Sequence, residues 1–209
     1  VTRTLLESIQ TIVREELGRV RTAELAKVQD LHPHADDGDK DNYACTVALR
    51  DSGIVLSHVP VATGRIGTVS IPAVGELVLV QFLGGSINAP VIVGRLYNDE
   101  DRPPVSDDGK AVVHLPLGAS DDEAVHIELV SGDSRALNIT LGKSLKLALQ
   151  DDDPVVSLDI ADGKAKLTIA QDGAASLEGK GALSVKGDAD VSIEAGGKLT
   201  LKGSTVEIN

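Results

Sequence analysis

From Leu167 the chain divides into blocks of eight residues, LTIAQDGA, ASLEGKGA, LSVKGDAD and VSIEAGGK, then LTLKGST after a slip to seven, and it closes on VEIN. Leu167, Ala175, Leu183, Val191 and Leu199 head the blocks, and Ile169, Leu177, Val185, Ile193 and Leu201 follow two residues later. Residues i and i+2 of an extended chain share a face, so each block offers one apolar pair, such as Leu183 and Val185, with Ser184 on the other side. Gly173, Gly181 and Gly197, with Ala189 in register, form one column; Gly179, Gly187 and Gly203, with Ala195, form a second. Glycine permits the positive φ that a change of direction needs. A fixed period of this kind marks an array of very short strands and bends.

An array so thin has an energetic problem. Two inward side chains contribute about 1.5–3 kcal/mol each when fully buried, whereas ordering the backbone costs roughly 1–2 kcal/mol per residue. A single chain scarcely breaks even over one block. Winding three identical chains around one axis lets every apolar pair meet its symmetry mates and gives every strand edge a partner. The repeats therefore predict an intertwined trimeric β-helix, a slender rod with Ser, Thr, Lys, Glu and Asp outside; an intrachain meander or single-chain solenoid is the other arrangement the period fits.

Upstream the pattern differs. Leu5, Leu6, Ile9, Ile12, Val13 and Leu17 fall at helical spacing, with Thr4 at the N-cap and Gly18 past the end. The stripe is wide for a lone helix and calls for a surface to dock on, either its own domain or the same helix of a neighbouring chain. ELAKVQDL, YACTVALRD, GIVLSHVPVA, ELVLVQFL and PVIVGRLY then read as five strands between Ala23 and Pro104. Five such strands suit a small Greek-key barrel of the OB type, although periodicity alone fits a small sandwich as well. YNDEDRPPVSDDGK, with prolines and carboxylates and no apolar period, marks a boundary. The expected organisation is a mainly β chain: a helix over residues 1–20, an OB domain over 21–104 and a needle over 105–209.

Composition supports a repetitive build. Tyr43, Phe82 and Tyr97 are the only aromatic residues among 209, so the large rings that normally dominate cores are replaced by Val, Leu, Ile and Ala. The net charge of −12 argues against contact with a phosphate backbone, and an OB-type nucleic-acid binder would also need aromatic platforms. The lone Cys45 allows no intrachain disulfide and no cysteine-based metal site. No signal peptide opens the sequence and no apolar run nears the roughly 20 residues that span a bilayer, which implies synthesis in the cytoplasm.

Residues 71–104, IPAVGELVLVQFLGGSINAPVIVGRLYNDEDRPP, carry a more specific signal. The Pro72/Gly75 turn, the strand ending at Phe82, Gly84 and Gly85, Pro90 to Gly94, Leu96-Tyr97-Asn98 and the closing Pro103-Pro104 resemble the OB-domain signature of contractile injection system spikes. These are the phage baseplate assembly protein V family, the spikes of extracellular injection particles and the VgrG proteins of type VI secretion. The resemblance implies a homotrimer at the tip of a contractile tail, assembled into the baseplate of a phage tail or extracellular injection particle. There it would join separate hub and tube proteins and meet a target membrane only when sheath contraction drives it through. Only some twenty residues precede the OB domain, where VgrG chains carry a hub region. No histidine follows His126, so the His-x-His iron site that closes some phage spikes is missing, and a separate PAAR-type tip protein is expected at the apex.

Catalytic motifs are weak. The link from Asn98 to Lys110 is too short for the lysozyme domain that some such spikes insert, and 32 acidic residues make chance carboxylate pairs common. LGKS at Leu141–Ser144 lacks the first glycine of a phosphate loop and is followed by strand-like residues. GDS at Gly132–Ser134 lies among repeats without an oriented histidine. His32 and His34 have a possible ligand spacing but read as a polar loop, and His58, His114 and His126 stand isolated in sequence. The expectation is a non-enzymatic spike without cofactor or metal; a trimeric fibre or adhesin binding surface glycans is the alternative.

Overall fold

A computed structural model describes residues 4–207; the chain divides into two compact units, Val1–Val105 and Ser106–Asn209. Ile208 and Asn209, the end of the expected needle, lie outside the described residues, as do the first three residues of the expected N-terminal segment.

In the first unit, α1 (Leu5–Arg19) begins with a reciprocal cap. The Glu7 amide donates to Thr4 Oγ1 at 3.3 Å, and the Thr4 amide donates to the Glu7 carboxylate at 2.9 Å. This capping box satisfies two amides that the first turn would otherwise leave without partners. Five strands follow: β1 (Ala23–His32), β2 (Ala44–Leu49), β3 (Val55–Pro60), β4 (Leu77–Phe82) and β5 (Pro90–Leu96). They form one antiparallel sheet in the order β3-β2-β1-β4-β5. A lone parallel bridge between Val61 and Ile92, with the Ala62 amide donating to Ile92 O at 2.8 Å, brings the edge strands β3 and β5 together. This is the partly open five-stranded OB arrangement rather than a sandwich.

Alternation explains the core of this unit. Val28, Val47, Val59, Val78, Val80 and Ile92 point inward with Ala26, Cys45, Leu49 and Phe82. β2 and β4 bury every second side chain almost completely. Phe82, the single phenylalanine, is 3% exposed and packs in this cluster. Burial pushes the Cys45 thiol above its ordinary range, as befits a small hydrophobe in a core.

The second unit holds β6 (Lys110–Leu115), β7 (Val125–Ser131), β8 (Arg135–Leu141), β9 (Leu145–Gln150), β10 (Val156–Ile160), β11 (Ala165–Ile169) and β12 (Ala175–Gly179). They pair in chain order, each antiparallel to the next, as one open seven-stranded meander. This corrects the expectation of a winding needle from residue 105 onward: between residues 110 and 179 the ladder partners belong to the same chain. Turn chemistry is the reason. Gly142 at φ +50° turns β8 into β9, and Ala161, Asp162 and Gly163, all at positive φ, turn β10 into β11. Connections this short return a strand beside its predecessor and leave no length for a crossover. LGKS is thereby a hairpin turn, with the Ser144 amide donating to Leu141 O at 3.1 Å, and GDS is the β7–β8 turn.

Beyond β12 no further strand occurs among the described residues, and residues 171–207 are exposed throughout. The backbone bends at residues 180–181, 188–189, 196–197 and 203–204. Within one chain the expected inward residues face solvent: Leu183, Val185, Val191, Ile193, Leu199 and Leu201 are between 52% and 73% exposed. The glycine columns need a correction too. Gly173 adopts φ +86° in the β11–β12 turn, whereas Gly179, Gly181, Gly187, Gly197 and Gly203 stay outside the left-handed region. At Gly187 the requirement is space, since a Cβ there would stand 2.9 Å from Val191 Cγ2.

Candidate functional site

The register of the meander builds a surface. Opposed residues line up across all seven strands in three columns on one face. The central column runs Val113, Ile127, Ile139, Leu147, Leu158, Leu167 and Leu177. The column through Leu129, Leu137, Leu149, Val156 and Ile169 begins at Ala111 and ends at Ala175. The third contains Leu115, Val125, Leu141, Leu145 and Ile160. The opposite face carries Glu128, Asn138, Ser157, Thr168 and Ser176 behind the central columns, and His114, His126, Thr140, Lys146, Asp159, Lys166 and Glu178 along one side.

A sheet with one apolar face requires a second layer, yet among the described residues of this unit none covers it. Val113, Leu115, Val125, Leu129, Leu141, Leu149, Ile160 and Leu177 are each between 38% and 59% exposed, and Ala124 is the unit's only fully buried hydrophobic residue among those described. Of the expected needle-core residues, Leu167, Ile169 and Leu177 lie on this face and the other six in the segment after β12. The helix repeats the pattern: Leu5, Leu6, Ile9, Ile12 and Val13 are 49–79% exposed. Its stripe is uncovered by its own unit.

The signature residues of the first unit take structural places. Pro72 is buried, and Gly75 at φ +95° donates its amide to Val28 O at 2.9 Å, fixing the entry to β4. Gly84 and Gly85 have positive φ after Phe82, and Gly85 O accepts from the Arg21 amide at 3.2 Å. Arg21 also reaches over the Phe82 ring. A Cβ on Gly85 would meet Val20 Cγ1 at 2.7 Å, so the chain leaving α1 passes against this turn only because the side chain is absent. Pro90 starts β5, and Gly94 pairs with Leu79 at the β4–β5 bulge. Tyr97 is 60% exposed, and Asn98 caps the following turn through Oδ1, accepting from the Glu100 and Asp101 amides.

Histidines apart in sequence meet in space. His32 and His58 stack with ring centroids 3.8 Å apart, beside Asp41. His114 and His126 face each other across β6 and β7, beside Asp121. His34 joins neither group and binds Asp39 at 2.9 Å; with the loop amides of residues 35 and 36, this holds the Asp39 carboxyl down to about 2. The sequence marks neither pairing, because each depends on strand register.

The fold thus defines a β protein built on an OB domain, with a second, meandering unit that presents an unlayered apolar face. Residues 14–97 match the sequence model of the type VI secretion system/phage-baseplate injector OB domain. No curated protein matches the chain. The family match supports the resemblance to contractile-injection spikes that residues 71–104 carry. Among the described residues, no helix is long and apolar enough to cross a membrane.

Proposed function

We propose that the chain is a non-enzymatic, homotrimeric spike of a phage baseplate or type VI secretion machine, joining the hub and tube to the tip and transmitting force through the target envelope. The observation that carries the reading is the three-column apolar face on β6–β12, attached to an injector OB domain. Three such faces turned toward one axis close a triangular prism in which each chain supplies one wall. Eight half-exposed Val, Leu and Ile side chains on that face would each gain about half of the 1.5–3 kcal/mol that full burial brings, about 6–12 kcal/mol per chain.

After β12 the bends recur eight, eight and seven residues apart, following the sequence blocks. A segment with apolar pairs between regular bends and no ladder in its own chain suits winding about two copies of itself, since strand amides and carbonyls need partners. The narrow part of the needle would form in this way, with a separate tip protein closing the apex. The helix stripe supports docking to the baseplate side or to its two symmetry mates. Assembly into a phage tail or injection particle follows from the same reading.

Electron microscopy of the purified full-length chain tests it. Seven strands spaced by about 4.8 Å imply a rod of at least ~3 nm for the β6–β12 part of the trimer. Particles without a rod of that length would refute the proposal.

A further inference from the structure

We propose that His114, His126 and Asp121 form a binding site for a divalent transition-metal ion of the zinc class, on the polar face of the meander. His114 Nδ1 and His126 Nδ1 lie 3.1 Å apart, and the rings meet at 70° with centroids 5.4 Å apart. Two imidazole nitrogens held about 2.0–2.1 Å from one tetrahedral ion are roughly 3.3 Å apart. The pair is close to that spacing already.

The tautomer is set by a neighbour. His114 Nε2 lies 2.9 Å from Ala119 O; a carbonyl only accepts, so Nε2 carries the proton. In the neutral ring His114 Nδ1 then bears the lone pair and accepts the proton of His126 Nδ1; a metal ion takes the place of that proton, which moves to His126 Nε2 or leaves to solvent, and a backbone carbonyl behind the ring is the arrangement metal-binding histidines use. Asp121 Oδ1 is 3.9 Å from His114 Nδ1, and its side chain is 84% exposed. The three ligand atoms lie within 4.8 Å of one another, so an inward movement of this exposed carboxylate completes a three-ligand set with one position open to water.

The loop bearing Asp121 is fixed from behind. The Gly142 amide donates to Ala124 O at 3.0 Å, and a Cβ on Gly142 would stand 2.6 Å from Asp122 O. The second histidine cluster lacks these features: His32 and His58 are stacked with planes 13° apart, and His32 Nε2 is engaged with Thr46 Oγ1 at 2.8 Å. Ring lone pairs lie in the ring planes, so parallel rings 3.8 Å apart do not converge on one ion. An ion at His114 and His126 would clamp the connection between β6 and β7 onto the sheet. This inference stands apart from the spike reading, since the site lies within one chain.

The test is a calorimetric titration of the full chain, free of any histidine tag, with Zn²⁺. One ion per chain is expected, with affinity lowered at least ~10-fold in His126→Gln, the lower end of what even outer-shell losses cost, and unchanged within about twofold in His32→Gln. Ring nitrogen NMR on the unsubstituted chain removes any dependence on the variants' folding: Zn²⁺ should shift His114 and His126 and leave His32, His34 and His58 in place. No binding, equal binding by His126→Gln, or shifts confined to the other three histidines would overturn the proposal.

Discussion

Replacing Leu129 by Ala tests whether the apolar face of the meander is an interface. Leu129 is 51% exposed in the chain taken alone. Leu→Ala removes the equivalent of about three methylenes at ~0.8 kcal/mol each, roughly 2.4 kcal/mol for a fully buried side chain. About half of this, roughly 1.2 kcal/mol, belongs to surface that only association would bury, and three copies raise the loss to about 3.6 kcal/mol per trimer. At 1.4 kcal/mol per tenfold, the dissociation constant of the trimer should rise by about 400-fold. Val130, the next residue on β7, points to the opposite face, where it pairs with Lys110 and Ala136. Val130→Ala should leave association within about twofold, although it removes comparable carbon. Sedimentation equilibrium over a concentration series reads both values. Equal weakening by the two substitutions, or weakening by Val130→Ala alone, would refute the assignment of faces.

Three further outcomes follow from local geometry. Phe82→Ala in the OB core should lower stability by about 3–5 kcal/mol, read as a fall in the denaturation midpoint of that unit, because Phe82 is 3% exposed. Thr4→Ala should cost about 1 kcal/mol of helix stability by removing one half of the capping box, visible as reduced α1 helicity by circular dichroism or amide exchange. Asp39 is held at about 2, chiefly by its bond to His34, below the ordinary 3.8; its contribution to the residue 34–41 loop is present above pH ~4 and lost as pH falls through about 2. The amide resonances of Ala35 and Asp36, which donate to its carboxylate, should follow that titration and lose it in Asp39→Asn.

Much of the first unit was legible because each strand alternates against a core inside the same chain. The five segments read from residues 24–97 coincide with β1–β5 to within a few residues, and Thr4 caps α1 as its position suggests. Glu7 completes the box at the Thr-x-x-Glu spacing that the sequence itself carries. The second unit was harder. Alternation in AVHIELVSG or SLKLALQ identifies a strand with one apolar face, but it says nothing of which strand lies beside it. Turn residues decide that, and LGKS and IADGK make hairpins where a winding chain was expected. After Gly179 the blocks hold too little for one chain to bury, so the period alone leaves partners unspecified. The His114–His126 pair had no signal in sequence, since eleven residues separate the two and only register joins them.

The proposed spike completes its fold only as a trimer of this chain. The most direct measurement is the solution mass of the full-length chain by light scattering coupled to size exclusion. About three times the 21.7 kDa of the single chain is expected, persisting on dilution. A mass of 21.7 kDa at all concentrations would contradict it and leave the apolar face of β6–β12 without an occupant.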